Sequence, residues 1–536
     1  MGFISFFIIL TILLIISFYF RFKNQKYRLT NVVVISSLLY AILGFYKPIA
    51  VLLFTIVLIF MVVEVYIIYK FKDFNEGIIE AILNTNKEEV IEILNKNKLN
   101  IFISILFVGI INYIAFSYME TNILYGFISI IPFFITFFSA QFRLFRIDLK
   151  LKQYAKNGDA FNVINAIDRL DKNVISSIRV KYPLFFGNFF YLLNYRSGYD
   201  FDFNKKRCLP NFVVDQAEPK VKNIILVLGE SANPDRFGIY GYTKFNTTPR
   251  LGGMTCCKVI NNVHSLSNMT RTALPFLIAF PQVQDFGKAY TYKNIIDIAN
   301  EKNINTIWIG NQAIESLFTS SYGPIVKSAN KVFSRDYNST GENFSPKDDF
   351  DLLPVIDLHF KDYGKNSPNL SNLFIIHTVG SHAPYSLRSD DIDRAALQGA
   401  DDYDLSVHHT DRFLYELTSL ADSHLADYLV IYTSDHGEVL VDEGGGLEHG
   451  LTFGGYQQYK VPFIILNKSS YELDCDRYKK NNGNYSNDMA AFFVMEAMGI
   501  DIQCNYIMQY KEEDKILHSD YMVYNYDDLP QPSMRK

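Results

Sequence analysis

The chain has 536 residues, of which 49% are hydrophobic and 20% charged, and its formal net charge is -5. No basic surplus points to binding of a nucleic-acid backbone, and five cysteines in so long a chain exclude a disulfide scaffold. The mean hydropathy of +0.05 is high for a soluble protein and low for a polytopic channel. We therefore expect two dissimilar parts, and the second part holds all ten histidines, the first of which is His264.

The amino-terminal part, residues 1–142, is predicted to be an α-helical transmembrane domain of five spans. Each predicted span is an apolar run bounded by polar or charged residues, as a membrane-crossing helix requires. A charged segment, 70–100, separates the third run from the fourth. Its apolar pairs recur at helical spacing, which predicts a short helix pair on the membrane surface. The five runs are Gly2–Phe20, Asn31–Tyr46, Pro48–Tyr69, Ile101–Tyr118 and Ile123–Phe142.

The carboxy-terminal part, residues 216–536, reads as an α/β domain, and 143–215 as an interfacial linker. Short apolar runs rich in β-branched residues alternate with helical or loop stretches. Near-continuous apolar strands are typical of a doubly wound, mostly parallel sheet that is buried on both faces. In such a fold the chemistry gathers at the carboxyl ends of the strands. The predicted strands are Asn223–Leu228, Ile304–Ile309, Leu373–His377, Tyr428–Thr433 and Val461–Leu466.

Polar side chains that suit a metal follow three of these strands. Glu230 follows the first, His382 the third, and Asp435 with His436 the fourth, while His449 lies in a glycine-rich loop beyond them. Carboxylate and imidazole ligands suit Zn²⁺ or Mn²⁺. Each residue alone also has a structural reading: a helix-cap neighbour, a turn or a surface loop. Their joint placement at strand ends favours a metal site.

The segment Ser267–Pro275 is polar and then opens an apolar run, Phe276–Phe280. A hydroxyl at a helix N-terminus benefits from the free N–H groups and the positive end of the dipole. A metal beside it would lower its pKa and make it a nucleophile. The alternative is an ordinary Ser or Thr cap. The remaining histidines are interpreted as surface or packing residues: His264, His359, His377, His408, His409, His424 and His518.

Several motifs occur in a fixed order along the chain. They are Gly229-Glu230-Ser231 followed by Arg236 and Gly238–Tyr242, the segment Thr270–Pro275, Gly380–Pro384, Ser434–Glu438, Glu448–Gly450 and, in the front part, Glu80–Glu89. Each motif is weak, but the ordered set resembles the phosphoethanolamine transferases of Gram-negative envelopes, in the sulfatase and alkaline-phosphatase-like superfamily. The resemblance extends over nearly the whole chain and implies an alkaline-phosphatase-like catalytic domain.

The resemblance implies a zinc set of Glu230, Thr270, Asp435 and His436, with Thr270 as the nucleophile. Thr272 is the competing candidate. Thr270 is preferred because the nucleophile of this family stands five residues before a proline, here Pro275. Manganese is the less favoured metal.

Further residues match the substrate contacts of that family. His382 and His449 match histidines that hold the substrate phosphate or a second metal, and either would also serve as general acid. Thr85 and Glu89 match residues of a membrane-proximal loop that contact the ethanolamine end of the donor. The stretch Trp308–Gln312 is also similar to the family, with no role assigned.

The implied reaction is ping-pong transfer of phosphoethanolamine from phosphatidylethanolamine to a lipopolysaccharide or another envelope glycan. Thr270 attacks the donor phosphorus, diacylglycerol leaves, and the phosphothreonine passes its group to the acceptor. The family resemblance places the protein in a bacterial inner membrane with its catalytic domain in the periplasm. The Lys and Arg residues of the loops would instead favour a cytoplasmic catalytic domain.

Three other functions are compatible with parts of the sequence pattern. A sulfatase requires Cys or Ser two residues before a proline and Arg two residues after it, and Ala273 and Leu277 around Pro275 do not fit. A phosphoglycerol transferase shares the threonine nucleophile, and the Thr85 loop argues modestly against it. A non-catalytic membrane-anchored binding protein would not need the full ligand set.

Overall fold

The computed structural model describes most of the carboxy-terminal part of the chain and a smaller share of the amino-terminal part. The described residues are 98–118, 207–315, 321–341, 344–364, 370–440, 449–450, 455–519 and 522–529, with isolated residues between 46 and 134. The chain divides into two compact units, and the second takes in Ser197–Lys536.

One helix of the amino-terminal unit is described throughout, α1 (Lys98–Tyr118), and it covers the fourth predicted span. Among the helices within the described residues, none has both the length and the apolar character needed to cross a bilayer. The other four predicted spans lie wholly or largely outside the described residues, so the count of five stays a prediction.

The carboxy-terminal unit contains ten further α-helices and thirteen strands within the described residues. The helices are α2 (Pro249–Gly253), α3 (Thr270–Ile278), α4 (Lys288–Thr291), α5 (Ile295–Glu301), α6 (Gly323–Val326), α7 (Leu353–Gly364), α8 (Asp391–Ala396), α9 (Asp402–His424), α10 (Met489–Ala497) and α11 (Cys504–Glu512). The strands are β1 (Val213–Gln216), β2 (Asn223–Gly229), β3 (Cys257–Val259), β4 (Val263–His264), β5 (Asn305–Gly310), β6 (Lys331–Phe333), β7 (Asn372–His377), β8 (Tyr428–Ser434), β9 (Phe463–Asn467), β10 (Tyr485–Ser486), β11 (Ile500–Ile502), β12 (Lys515–Leu517) and β13 (Val523–Asn525).

A seven-stranded sheet in the order β3-β9-β8-β2-β7-β5-β6 forms the centre of this unit. The five strands from β8 to β6 are parallel to their neighbours. The pairs β8–β9 and β3–β9 are antiparallel, so the sheet is mixed: it is mostly parallel, as expected, with an antiparallel edge. An apolar run such as that of β9 marks burial but carries no information about strand direction.

The two faces of the sheet bury two separate hydrophobic clusters. Strand β2 shows why, since successive side chains of a strand point to opposite faces. Ile224, Leu226 and Leu228 lie in one cluster, and Ile225 and Val227 lie in the other. Each of these side chains is 1% exposed or less. The sheet is therefore covered on both faces, as the continuous apolar strands predicted.

The register of the parallel strands brings their carboxyl ends to one level. Leu228 of β2 is paired with His377 of β7 and with Thr433 of β8. Gly310, the last residue of β5, is also paired with His377. The residues that follow these four strands therefore share one edge of the sheet. Strand β1, which crosses the predicted boundary at residue 216, pairs with β11.

Candidate metal centre and active site

Glu230, Asp435 and His436 converge at the carboxyl edge of the sheet. Their ligand atoms lie within 4.8 Å of one another, and all three residues are buried. The Nε2 atom of His436 is 3.2 Å from Oε1 of Glu230 and 3.4 Å from Oδ2 of Asp435. Glu230 follows β2 and the other two follow β8, which is its neighbour in the sheet. Adjacent strands thus place residues from distant parts of the chain at one point.

Thr270 is the first residue of α3, and its hydroxyl faces this cluster. Its Oγ1 atom lies 3.2 Å from Oε2 of Glu230 and 3.2 Å from Nε2 of His436. Thr272, by contrast, is buried, and its hydroxyl contacts Ser267 Oγ at 2.6 Å and donates to the Met269 carbonyl at 3.1 Å. Of the two candidate threonines, only Thr270 contacts the predicted ligands.

The backbone sets the orientation of the His436 ring. Its Nδ1 atom lies 3.0 Å from the carbonyl oxygen of Gly437. A proton on Nδ1 satisfies that carbonyl, so Nε2, which faces Glu230, Asp435 and Thr270, is the nitrogen that a metal would bind in place of a proton. A Cβ on Gly437 would meet the Lys460 carbonyl oxygen at 2.3 Å, so a glycine is required there for the chain to pack.

The charges of the cluster are strongly interdependent. Burial raises the pKa of the Glu230 carboxyl, but the hydrogen bond and charge of His436 hold it well below its ordinary value. Burial and the charge of Glu230 raise the pKa of Asp435 to about 7. Burial lowers the pKa of His436, and the charges of Asp435 and Glu230 together raise it to about 10. Without a metal, the protonated His436 ring is the positive charge that offsets these two buried acids.

The donor set fits zinc. Within the described part of the chain, Oδ2 of Asp435 is buried and receives no hydrogen bond. Tetrahedral zinc with ligand bonds of about 2.0 Å brings ligand atoms to about 3.3 Å from one another. Four of the six separations match this value when Oε1 is the ligand atom of Glu230. His436 Nε2 lies 3.2–3.4 Å from Glu230, Asp435 and Thr270, and Thr270 Oγ1 lies 3.4 Å from Glu230 Oε1. Two carboxylates, one imidazole and one hydroxyl are ligands that Zn²⁺ accepts.

His382 and His449 lie next to this cluster. The ring of His449 is 4.2 Å from that of His436, and 6.1 Å from that of His382, between centroids. Nδ1 of His449 contacts Oε2 of the buried Glu438 at 3.2 Å, and Tyr385 donates to the same oxygen at 3.0 Å. This carboxylate orients the imidazole. The structure thus brings together all six candidate residues of the catalytic domain.

The loop that carries His382 is fixed against Glu230. Ser381 donates its amide to the Glu230 carbonyl at 2.9 Å. The amides of Val379 and Gly380 donate to the buried Asp349 carboxylate at 2.8 and 2.9 Å. Gly380 has φ +51°, and a Cβ there would lie 2.9 Å from the Glu230 backbone. The loop therefore needs a glycine at this position.

One further residue, Gln312, belongs to the site although no role was assigned to it from the sequence. Its Nε2 atom donates to Oε2 of Glu230 at 3.0 Å and to the carbonyl of Thr378 at 3.0 Å. It follows strand β5 by two residues. The rule that singled out Glu230, a polar residue after a buried strand, would also have found Gln312. Asn311, its neighbour, donates to Asp349 at 2.9 Å.

Other candidates fall elsewhere. Thr85 and Glu89 lie outside the described residues, so their contact with a donor stays a prediction. All five cysteines lie in the described part of the chain, and all are free.

A second group of acidic and histidine side chains, Asp390, Asp393 and His409, lies within possible metal-binding distance. His409, predicted to be a surface or packing residue, is buried there with His408 on the Asp393 carboxylate. Arg412 Nη1 contacts Asp390 at 2.6 Å and Asp393 at 3.0 Å. This guanidinium already supplies the cation, so the group is an ion-pair network.

The chain is similar in sequence to a known protein family and to several known proteins. The Sulfatase family matches residues 222–500. The putative transferase YhbX of Escherichia coli (strain K12) is 24% identical over 471 residues, which cover 84% of this chain and 80% of the relative. The phosphoethanolamine transferase EptA of Helicobacter pylori (strain ATCC 700392 / 26695) is 27% identical over 263 residues, 45% of this chain and 47% of the relative.

A solved structure agrees with the fold. The integral membrane protein lipooligosaccharide phosphoethanolamine transferase A (EptA) from Neisseria meningitidis has a TM-score of 0.56 at 20% identity and covers 89% of each chain. At this identity the likeness shows the fold. The curated relatives confirm the resemblance to phosphoethanolamine transferases and the expectation that the chain is a transferase.

Proposed function

Because the chain belongs to the Sulfatase family, we propose that it transfers phosphoethanolamine from phosphatidylethanolamine to a lipopolysaccharide or another envelope glycan, through a phosphothreonine at Thr270. The observation that carries the proposal is the position of the Thr270 hydroxyl, 3.2 Å from both Glu230 Oε2 and His436 Nε2. Relatives named as phosphoethanolamine transferases support the choice of the transferred group.

In this proposal Glu230, Thr270, Asp435 and His436 would hold zinc. When bound, zinc lowers the pKa of a coordinated hydroxyl and stabilises negative charge on phosphoryl oxygens. The unpartnered Oδ2 atom of Asp435 and the His436 lone pair supply the ligand positions. Thr270 is the first residue of α3, so the positive end of the helix dipole lies at its hydroxyl and favours negative charge there.

The chain's own residues then account for the two transfer steps. Thr270 gives up its hydroxyl proton to solvent and its Oγ forms a bond to phosphorus, while the bond from phosphorus to the diacylglycerol oxygen breaks and that oxygen takes a proton. In the second step an acceptor hydroxyl, as it loses its proton, or an acceptor phosphate oxygen forms a bond to phosphorus, the bond from phosphorus to Thr270 Oγ breaks, and Oγ takes a proton. His382 and His449, whose rings are 6.1 Å apart, are placed to hold the phosphoryl group, and either supplies the proton. Glu438 fixes the His449 ring for that task.

The amino-terminal part provides access to a lipid donor in this proposal. The five predicted spans keep the chain in the inner membrane, and residues 70–100 carry Thr85 and Glu89 toward the ammonium group of the donor. A carboxylate such as Glu89 suits that charge. The catalytic domain, 216–536, faces the periplasm, and 143–215 forms the linker. The solved relative from Neisseria meningitidis is described as an integral membrane protein, which supports this arrangement.

Mass spectrometry of envelope lipids and glycans tests the function. Cells with the gene are expected to carry a phosphoethanolamine adduct that is absent from cells without it and from cells with Thr270→Ala. An adduct that persists in the Thr270→Ala cells would contradict the mechanism. An adduct absent from every sample would contradict the assigned donor or acceptor.

A further inference from the structure

We propose that Gln312 is a positioning residue for the metal centre, which holds the Glu230 carboxylate in the orientation that a cation requires. The proposal deepens the function proposed above and rests on its metal site. Within the described residues the Gln312 side chain donates to Glu230 and Thr378 and makes no hydrogen bond to Asp435 or His436. It acts through Glu230, to which its amide donates at 3.0 Å.

Ser231 and Gln312 each hold one oxygen of the Glu230 carboxylate. Ser231 Oγ donates to Oε1 at 2.8 Å, and Gln312 Nε2 donates to Oε2. The Thr270 hydroxyl lies 3.4 Å from Oε1 and 3.2 Å from Oε2. Each hydrogen bond uses one lone pair of its oxygen, and a carboxylate retains others for a cation. Glu230 is fully buried, so water does not solvate its carboxylate and these hydrogen bonds take the place of water. Without them the carboxylate would also lose its fixed orientation.

The same amide also ties Glu230 to the neighbouring strand. Gln312 Nε2 donates its second proton to the carbonyl of Thr378 at 3.0 Å. Thr378 directly follows β7, which lies between β5 and β2 in the sheet. The side chain from the end of β5 therefore spans the end of β7 to reach the ligand after β2. The bond to Thr378 holds the Gln312 amide in place. A rotation of the Glu230 carboxylate would therefore break its hydrogen bond to that amide.

The chemical type of Gln312 suits this role. A neutral amide donates hydrogen bonds to a carboxylate without adding positive charge beside a divalent cation. A lysine at the same distance would compete electrostatically with the metal, and a second carboxylate would supply no donor. Partners that orient a metal ligand from outside the coordination sphere typically change metal affinity by 10–100-fold when they are lost.

Zinc affinity of the purified full-length protein in detergent tests the inference. Gln312→Met keeps the length of the side chain and removes both donors. We expect it to raise the zinc dissociation constant by about 10–100-fold, measured by competition with a chelator. Gln284→Met is the matched control, because the exposed Gln284 makes the same amide-to-carboxylate bond to Glu513 at 2.6 Å. The control is expected to bind zinc like the parent.

Activity at two zinc concentrations separates this role from a general loss of structure. The Gln312→Met enzyme is expected to recover most of its transfer rate in excess zinc, whereas a His382→Ala enzyme is not. Gln312→Ser serves as a second variant if the first does not fold, and it is expected to show the same weakening. Parental zinc affinity in a folded variant would overturn the inference. The affinity measurement needs no acceptor, so it stands apart from any failure of the proposed transfer.

Discussion

The hydroxyl of Thr270 lies 3.2 Å from the Nε2 atom of His436, although 166 positions of the chain separate the two residues. The contact joins the start of α3 to the end of β8. It places a weakly acidic hydroxyl beside groups that prefer a cation. The first prediction follows from the difference between this threonine and its neighbour Thr272.

Thr270→Ala is expected to abolish formation of a phosphoethanolamine ester on the protein, because the nucleophilic oxygen is removed. Thr272→Ala is expected to retain it and to lower the free energy of unfolding by about 1–3 kcal/mol, since Ser267 loses its buried partner. Mass spectrometry of the peptide containing α3, after incubation with phosphatidylethanolamine, locates the ester. An ester at Thr272 would reverse the assignment.

Asp435→Asn is expected to abolish zinc binding and yet leave the metal-free protein at least as stable as the metal-free parent at pH 8. Burial, together with the charge of Glu230, raises the pKa of Asp435 to about 7, so at pH 8 both acids are largely ionised and repel each other. Asparagine retains the acceptor for the Ser231 amide.

Thermal unfolding with and without zinc measures this contrast. Zinc at about 100 times its dissociation constant is expected to stabilise the parent by about 2.7 kcal/mol and the variant not at all. A metal-free variant clearly less stable than the metal-free parent would show that Asp435 is held by contacts other than the predicted metal.

Gly380→Ala is expected to damage both stability and transfer. The new Cβ would lie 2.9 Å from the Glu230 backbone at a residue whose φ is +51°. We expect the free energy of unfolding to fall by about 2 kcal/mol or more, since the positive φ alone costs about 1–2 kcal/mol for alanine. Chemical denaturation and the transfer rate are the two measurements.

Gly399→Ala provides the control for that change. Gly399 also has a positive φ, +82°, but among the described residues no atom lies within 4 Å of the position its Cβ would take. Its substitution is expected to cost about 1 kcal/mol and to leave transfer unchanged. Equal effects of the two substitutions would show that the contact with Glu230 is unimportant.

His409 is expected to make stability depend on pH. Burial lowers its pKa, but the bonds to Asp348 and Asp393 raise it to about 9, above the ordinary value of 6.5. Because the folded protein binds this proton more tightly than the unfolded chain, the protonated His409 stabilises the fold. The full stabilisation is present below pH 6.5 and is lost as the pH rises through 9. His409→Gln is therefore expected to cost on the order of 3 kcal/mol at pH 6 and much less at pH 9.5.

Chemical denaturation of parent and variant across this pH range measures the difference. His424→Gln is a suitable control, because the partner of His424, Asp357, is 46% exposed and such pairs contribute about 1 kcal/mol or less. If the free energies of unfolding of the parent and His409→Gln differed by the same amount from pH 6 to pH 9.5, His409 would not be the source of the pH dependence.

The strands that carry the site could be predicted because each is a short apolar run. The predicted run Tyr428–Thr433 corresponds to β8, Tyr428–Ser434, and Leu373–His377 to β7, Asn372–His377. The polar residues after them then marked the edge of the sheet. The antiparallel direction of β9 could not be predicted in this way, because hydrophobicity records burial and not direction.

The role of Gln312 depends on a neighbour relation that the sequence does not display. Its contacts, Glu230 and Thr378, follow two other strands, and only the sheet order β2-β7-β5 brings the three ends together. The burial of His408 and His409 had a similar cause. Their partner Asp393 lies on α8, and the packing of α8 against α9 follows from the folded chain.

The insertion of β8 beside β2 has a consequence for the order in which the protein becomes active during its synthesis. Ser231 and Asp435, which are joined by a hydrogen bond, are 204 positions apart. A nascent chain that has left the ribosome only as far as α9 contains Glu230 and Thr270 but neither Asp435 nor His436. Such a chain holds only two of the four predicted zinc ligands. If the proposed mechanism holds, Thr270 gains its full set of zinc ligands only after translation has passed β8 and that strand has joined the sheet.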